Sequence, residues 1–540
     1  MMSKTEIDGR SRPDVVRKMI EPLMSQKFTS FPGQGLFKML LSVTPNSTSD
    51  LVDLEAPITS AIMLQPELID LLQSIDERGD LEIIEKCQSL IFLQSTGGKV
   101  VHLMLRKLVN RDPAMELALT SLRRAYLRSA VRQAADVEPR HLQTMLTLAS
   151  QCFNNQYVFY ETGEEQGICE EIFSGTGGEA AGISAFVSKV IAYAMYRPIS
   201  QLALKERQFQ TLAQHVEDVQ ELIDRQIQDD VLEKDLAASI TSFGRIENEV
   251  SIKVRQQYEE APYPRWIEFV KRKPQQFAAY IKKRFPSLDD GLPAGSLDCL
   301  VAGCGTGRHA LSVASKFPDA AVVAIDLSRR SLAYGKHRAS RYGVANVEFF
   351  HGDLLEIKAL KRDFDFIDSA GVLHHMEDPF MGLKALSEVL RPGGFMRIAV
   401  YRRSFRNRLK PAQDFVHNRM KSYAAADLRA VRHQLRRETS VDFEFCKDLG
   451  DFYYISGFRD LFCHVRETSF TPSGIKELLR NLDLEFLGMD YSDLPAIEAA
   501  FLADHPNEGH VCDLDVYEEF EASRAEQLPS LLEFWVRKRR

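Results

Sequence analysis

Gly303-Cys304-Gly305-Thr306-Gly307 follows an apolar run at 297–302 and precedes a helical stretch from Arg308 to Lys316. Glycine belongs where a backbone bends sharply and a ligand lies against it. The helix behind such a bend offers unpaired N–H groups to a polar or anionic ligand. The next apolar run ends in Asp326, placed to accept hydrogen bonds from the two hydroxyls of a ribose. The run after that closes on Gly352-Asp353-Leu354. A dinucleotide fingerprint, G-x-G-x-x-G, requires glycine at 308, where Arg308 stands, so the spacing here is the other version, G-x-G-x-G. A tight turn made for its own sake leaves carboxylates at two successive strand ends without a purpose.

The elements that position these residues are strands alternating with helices. LDCLVAG, AVVAIDL, VEFFHGD, FDFIDSAG and FMRIAVY are β-rich and apolar throughout, which fits a parallel sheet covered on both faces. TPSGIKELLRNL then reads as a helix capped by Thr471 with Pro472 at its first position, LEFLGMDYS as a strand, and Leu531 to Arg537 as a last strand. Upstream the pattern is helical: Leu68, Leu71, Leu72 and Ile75 share one helix face. The expected organisation is a loosely ordered lead-in over 1–49, an all-α domain over 50–245, a linker and lid segment over 246–297, and a catalytic α/β domain over 298–540 with a cap insertion at about 402–470.

With 540 residues, two to four domains are expected. Hydrophobic residues at 44% and charged residues at 27% are ordinary globular composition. A net charge of −8 argues against a whole-protein field that gathers nucleic acid. Eight cysteines without a C-x-x-C pair indicate reduced thiols and a cytoplasmic setting. No stretch has the length of a membrane helix.

The segment from Leu297 to Tyr401 resembles a class I S-adenosylmethionine-dependent methyltransferase, of the LHH type and of the bacterial kind with a large helical N-terminal region. The resemblance rests on the VAGCGTG loop, Asp326, Gly352-Asp353-Leu354, the run from Phe364 to His375, and Leu390-Arg391-Pro392-Gly393-Gly394 in that order. It implies a Rossmann-like seven-stranded sheet and S-adenosylmethionine as cofactor. It places Gly303, Gly305 and Gly307 under the methionine part, Asp326 on the ribose with Leu327 against adenine, Asp353 on the adenine amino group with Leu354 beside the ring, and Ser369 with Ala370 at the methyl end. Ala302 stands where many members carry an acid, which leaves the methionine amino group without that partner.

Methyl transfer asks a protein to align the acceptor and exclude water, with a base only where the acceptor is protonated. His374 and His375 are candidate bases, or else they hold their loop; their spacing does not suggest a metal site. Tyr258, Tyr263, Arg265 and Trp266 either form an aromatic lid over the sulfonium or pack the helical domain onto the catalytic one. Arg459, Asp460 and His464 make a substrate site at the cap or a hinge. The basic stretch from Arg402 to Arg437 is either a solvated helix face or a surface for an acidic acceptor or RNA, with few aromatics for stacking bases. The acceptor is expected to be a small molecule, peptide or protein, with nucleic acid less favoured, no membrane insertion, and a homo-oligomer conceivable through the helical domain. The alternatives are a dinucleotide-dependent oxidoreductase and a silent scaffold that keeps the fold.

Overall fold

The computed structural model describes residues 26–41, 45, 48–92, 98–132, 138–175, 182–286, 288, 292–293, 295–491, 494–506 and 513–540. Its eight strands are β1 (Thr241–Ser242), β2 (Leu297–Ala302), β3 (Ala320–Asp326), β4 (Val347–His351), β5 (Phe364–Ala370), β6 (Leu390–Tyr401), β7 (Leu484–Met489) and β8 (Leu531–Lys538). They form one sheet in the order β1-β4-β3-β2-β5-β6-β8-β7, parallel except where β8 runs against β6 and β7. Seven strands were expected; the eighth is the two-residue β1, which leaves the helical region and pairs with the edge of β4.

Side chains alternate across the sheet, so one strand feeds two cores. Leu300 and Ala302 of β2 join Val323 and Ile325 on one face, while Cys299 and Val301 join Val322 and Ala324 on the other. The register sets Ala302 beside Ile325 and Asp326 beside His351. The carboxyl ends of β2, β3, β4 and β5 therefore meet along one rim.

Helices from Gln34–Leu41 to Asp229–Ser239 make up the N-terminal region. The described part of the lead-in is not loose, because Phe37, Leu40 and Leu41 are buried in the helical core. The insertion after β6, with helices Arg403–Arg419, Ala425–Arg437 and Ile455–Cys463, contributes Leu409, Val416, Leu428, Val431, Leu435 and Phe458 to that same core. Cap and helical domain are thus one packed body.

Part of the basic stretch is spent inside it. Arg432 pairs with Glu116 through two hydrogen bonds of 2.8 and 2.7 Å, both side chains buried. Arg402 donates to the carbonyls of Ala525, Leu528 and Pro529. Arg403, Arg408, Lys410 and Arg419 remain exposed.

Candidate active site

Gly303, Gly305 and Gly307 hold φ of +68°, +52° and +82°, the left-handed region that glycine enters without strain. A Cβ at Gly303 would lie 2.2 Å from Val372, and one at Gly305 would lie 2.6 Å from the carbonyl oxygen of Tyr263. At Gly307 it would strike Gly335, so this third glycine serves helix packing and does not line the cavity. Asp326 at the end of β3 ties the bend down: its Oδ2 accepts from Gly305 N–H at 2.8 Å and its Oδ1 from Ser328 N–H at 2.9 Å. Burial pushes its carboxyl up to about 6 despite these bonds.

A cavity of about 520 Å³ opens between this rim and the insertion. Its wall includes Gly303, Gly305, Asp326, Leu327, Asp353 and Leu354, all expected to meet a cofactor. Asp353 is buried and accepts from Leu355 N–H at 3.0 Å. Ser369 is buried outside the wall, with no partner for its hydroxyl among the described residues; Ala370 and Gly371 take that place. Ala302 is fully buried, and Arg308 at the start of the next helix faces the cavity instead.

The segment read as a lid divides in two. Tyr258 and Tyr263 line the cavity, whereas Trp266 is buried, donates Nε1–H to the carbonyl and hydroxyl oxygens of Thr306 at 3.2 and 3.1 Å, and packs on Tyr334 and Phe269. The Thr306 hydroxyl is bonded to the Pro264 carbonyl. Arg265 lies over the Phe153 ring, 4.7 Å from its centroid, in the helical domain.

The same cavity is lined by tyrosines and acids. Asp460, on the helix Ile455–Cys463, accepts from Tyr258 Oη–H at 2.8 Å and from Tyr401 Oη–H at 3.3 Å. Asp451 accepts from Tyr263 Oη–H at 3.2 Å and from Tyr454. His464 is outside the wall but within 3.1 Å of the Tyr258 hydroxyl through Nε2. Arg459 is bonded to Glu260 at 2.9 Å and does not reach the cavity.

His374 and His375 both reach the wall, in structural settings. His374 Nδ1 accepts from the Tyr401 backbone N–H at 3.0 Å, and its ring stacks on Tyr401 at 3.7 Å. His375 donates Nδ1–H to the Arg466 carbonyl at 3.0 Å and stacks on His464 at 3.5 Å. Burial holds both well below the usual imidazole range, which keeps the rings neutral. Atoms of His375, Asp460 and His464 lie within 4.8 Å of one another, a proximity that sequence spacing does not reveal. The Tyr258 hydroxyl already bridges Asp460 and His464.

The sequence reading singled out neither Tyr401 nor Arg406 as part of this wall. Tyr401 closes β6, and that position at a strand's carboxyl end was the available signal.

Residues 299–394 match the model of the methyltransferase domain. An uncharacterized protein of Synechococcus is 30% identical over 203 residues, 36% of this chain and 48% of the relative. An uncharacterized methyltransferase of Mycobacterium bovis is 30% identical over 114 residues, 21% of this chain and 55% of the relative. The chain spans about half the length of these curated relatives. Among solved structures, PKMT2 of Rickettsia typhi in complex with AdoHcy is 18% identical with a TM-score of 0.37, covering 49% of this chain and 54% of that one.

Proposed function

We propose that this chain, whose residues 299–394 match the methyltransferase domain, transfers a methyl group from S-adenosylmethionine to a nucleophile on a small molecule or a peptide. One observation carries the reading. A single cavity is lined both by the glycine bend, Asp326 and Asp353 and by Tyr258, Tyr401, Asp451 and Asp460. Groups for the donor and groups for an acceptor therefore share one enclosure, which is what displacement at carbon requires.

The residues fit the donor. Side chains are missing where Gly303, Gly305 and Gly371 bend, and two carboxylates stand at neighbouring strand ends. When bound, the cofactor supplies a methyl on a positively charged sulfur. Asp326 holds the ribose hydroxyls and so fixes the glycoside; Asp353 takes the adenine amino group with Leu327 and Leu354 against the ring. Ala370 and Gly371 border the methionine end. The strap through Tyr263 and Pro264 closes over Gly305 and keeps water from the reacting carbon.

Calorimetry with S-adenosylhomocysteine tests the reading. Micromolar binding is expected, reduced at least tenfold by Asp326→Ala and by Asp353→Ala, with no binding of NAD. Absence of uptake, or uptake indifferent to both carboxylates, would overturn it.

A further inference from the structure

Resting on that reading, we propose that the acceptor is an amine bound as its ammonium ion, and that Asp460 receives the proton nitrogen must lose before it attacks. The hydrogen-bond count around Tyr258 points there. Its hydroxyl has one hydrogen and lies within reach of two acceptors, Asp460 Oδ1 at 2.8 Å and His464 Nε2 at 3.1 Å. Nδ1 lies 2.8 Å from the Arg466 carbonyl oxygen and 3.3 Å from the Arg466 backbone N–H; with the ring hydrogen placed on the shorter contact, Nε2 is the acceptor. The ionised network is therefore one proton short of full pairing. A proton arriving on Asp460 completes it: the new O–H donates to the Tyr258 oxygen, and the tyrosine hydrogen turns to His464. No heavy atom has to move.

The surroundings favour a cation at this end. The rings of Tyr258, Tyr263 and Tyr454 stack in series with centroids 6.4 Å apart, and their hydroxyls are held by Asp460 and Asp451. Aromatic faces and two carboxylates attract an ammonium, both before and after methylation. Arg406 also lines the cavity; its Nη2 donates to the Leu461 carbonyl and to Glu467, while its Nε and Nη1 have no hydrogen-bond partner among the described residues. The groups facing Asp460 are Tyr258 from the helix Glu249–Glu260, Tyr401 at the end of β6, and Asp451, Glu467, Arg406 and His464 of the insertion. His375, which joins His464 and Asp460, faces it from the loop after β5. Burial, with Asp451 and Glu467 adding repulsion, raises Asp460 to about 7, a value suited to taking and releasing a proton near neutrality.

The step balances. An N–H bond breaks and its proton passes to an Asp460 oxygen. The released nitrogen pair forms the bond to the methyl carbon as the carbon–sulfur pair leaves on sulfur. The products are a methylammonium, S-adenosylhomocysteine and a protonated Asp460, which returns its proton to water.

The test uses the full chain saturated with S-adenosylhomocysteine and two probes, n-butylamine and n-butanol, read by saturation-transfer NMR. The amine is expected to bind at least tenfold more tightly than the alcohol, and Asp460→Asn to abolish that preference while S-adenosylhomocysteine affinity stays within threefold. Sinefungin, which carries an ammonium in place of the methylsulfonium, is expected to bind at least tenfold more tightly than S-adenosylhomocysteine. That ratio should fall as pH drops below about 7. Because it is read on the unaltered chain, it decides the matter even if the variant does not fold. Tyr258→Phe keeps the carboxylate and should keep the preference for amine while shifting its pH midpoint. Equal binding of amine and alcohol, no binding of either, or a pH-independent sinefungin ratio near one would overturn the proposal. Failure of S-adenosylhomocysteine itself to bind would instead remove the reading beneath it.

Discussion

In the proposed function Asp326 serves the protein and the ligand with the same two oxygens. It already accepts from Gly305 and Ser328 N–H groups, so ribose hydroxyls would use its remaining lone pairs, and only the ionised carboxylate offers enough of them. Its carboxyl is raised to about 6 from 3.8, which means the fold without ligand binds this proton more tightly than the unfolded chain does. Stability from this group should therefore grow as pH falls through about 6, while cofactor affinity weakens. Calorimetric titration of S-adenosylhomocysteine between pH 5 and 8 should show affinity dropping by up to about tenfold per unit below about 6. Gly305→Ala acts on the same bend, since its Cβ would meet the Tyr263 carbonyl at 2.6 Å on a backbone of φ +52°. A loss of about 1–3 kcal/mol is expected in thermal unfolding. At this scale the glycine bend and the strand-end acids were readable, because both follow from local sequence order. Asp460 was visible only as one option between hinge and site; its role depends on Tyr258, two hundred residues upstream, folding against it.

Among the elements, the strap from Tyr258 to Trp266 does two jobs that its sequence blends. Aromatics and prolines in a short run predict both a lid and a packing linker, and nothing in their order assigns one residue to each. The structure separates them by direction: Tyr258 and Tyr263 face the cavity, Trp266 faces the core under Thr306. Replacement should show the same division. Trp266→Ala leaves a large void and is expected to cost about 3–5 kcal/mol of stability by denaturant unfolding. Tyr263→Phe deprives the half-buried Asp451 of one donor, for about 1–3 kcal/mol at most. If the two variants unfolded at the same denaturant concentration, the division would be wrong. The parallel strands were legible for a related reason: they are apolar on both faces, whereas the two-residue β1 has no pattern of its own and forms because the helical region ends against β4.

The whole molecule is joined by a core that sequence order conceals. The insertion after β6 lies hundreds of residues from the helices it packs on, and its arginines look like a solvated face until Glu116 is found opposite. That acid is held to about 2 by Arg432 and Arg436, which outweigh its burial. A lowered carboxyl contributes stability above its ordinary value of 4.5, lost as pH falls toward about 2. Removing one partner leaves a buried charge, so Glu116→Ala is expected to cost about 3–5 kcal/mol. Removing Glu116 and Arg432 together costs less, because only Arg436, whose side chain keeps 18% of its exposure, is then left without its acid: Glu116→Leu with Arg432→Met should recover most of the loss. Limited trypsin digestion distinguishes this from general destabilisation. The single variant should be cut first between Arg419 and Arg437, where the insertion lifts from the helical body, and the double variant should resist like the unaltered chain. Because Asp451 and Asp460 stand on the same insertion, the ion pair also fixes that part of the cavity wall. The preference for n-butylamine should then weaken in Glu116→Ala and return in the double variant, coupling a contact between cap and helical domain to the place where the acceptor sits.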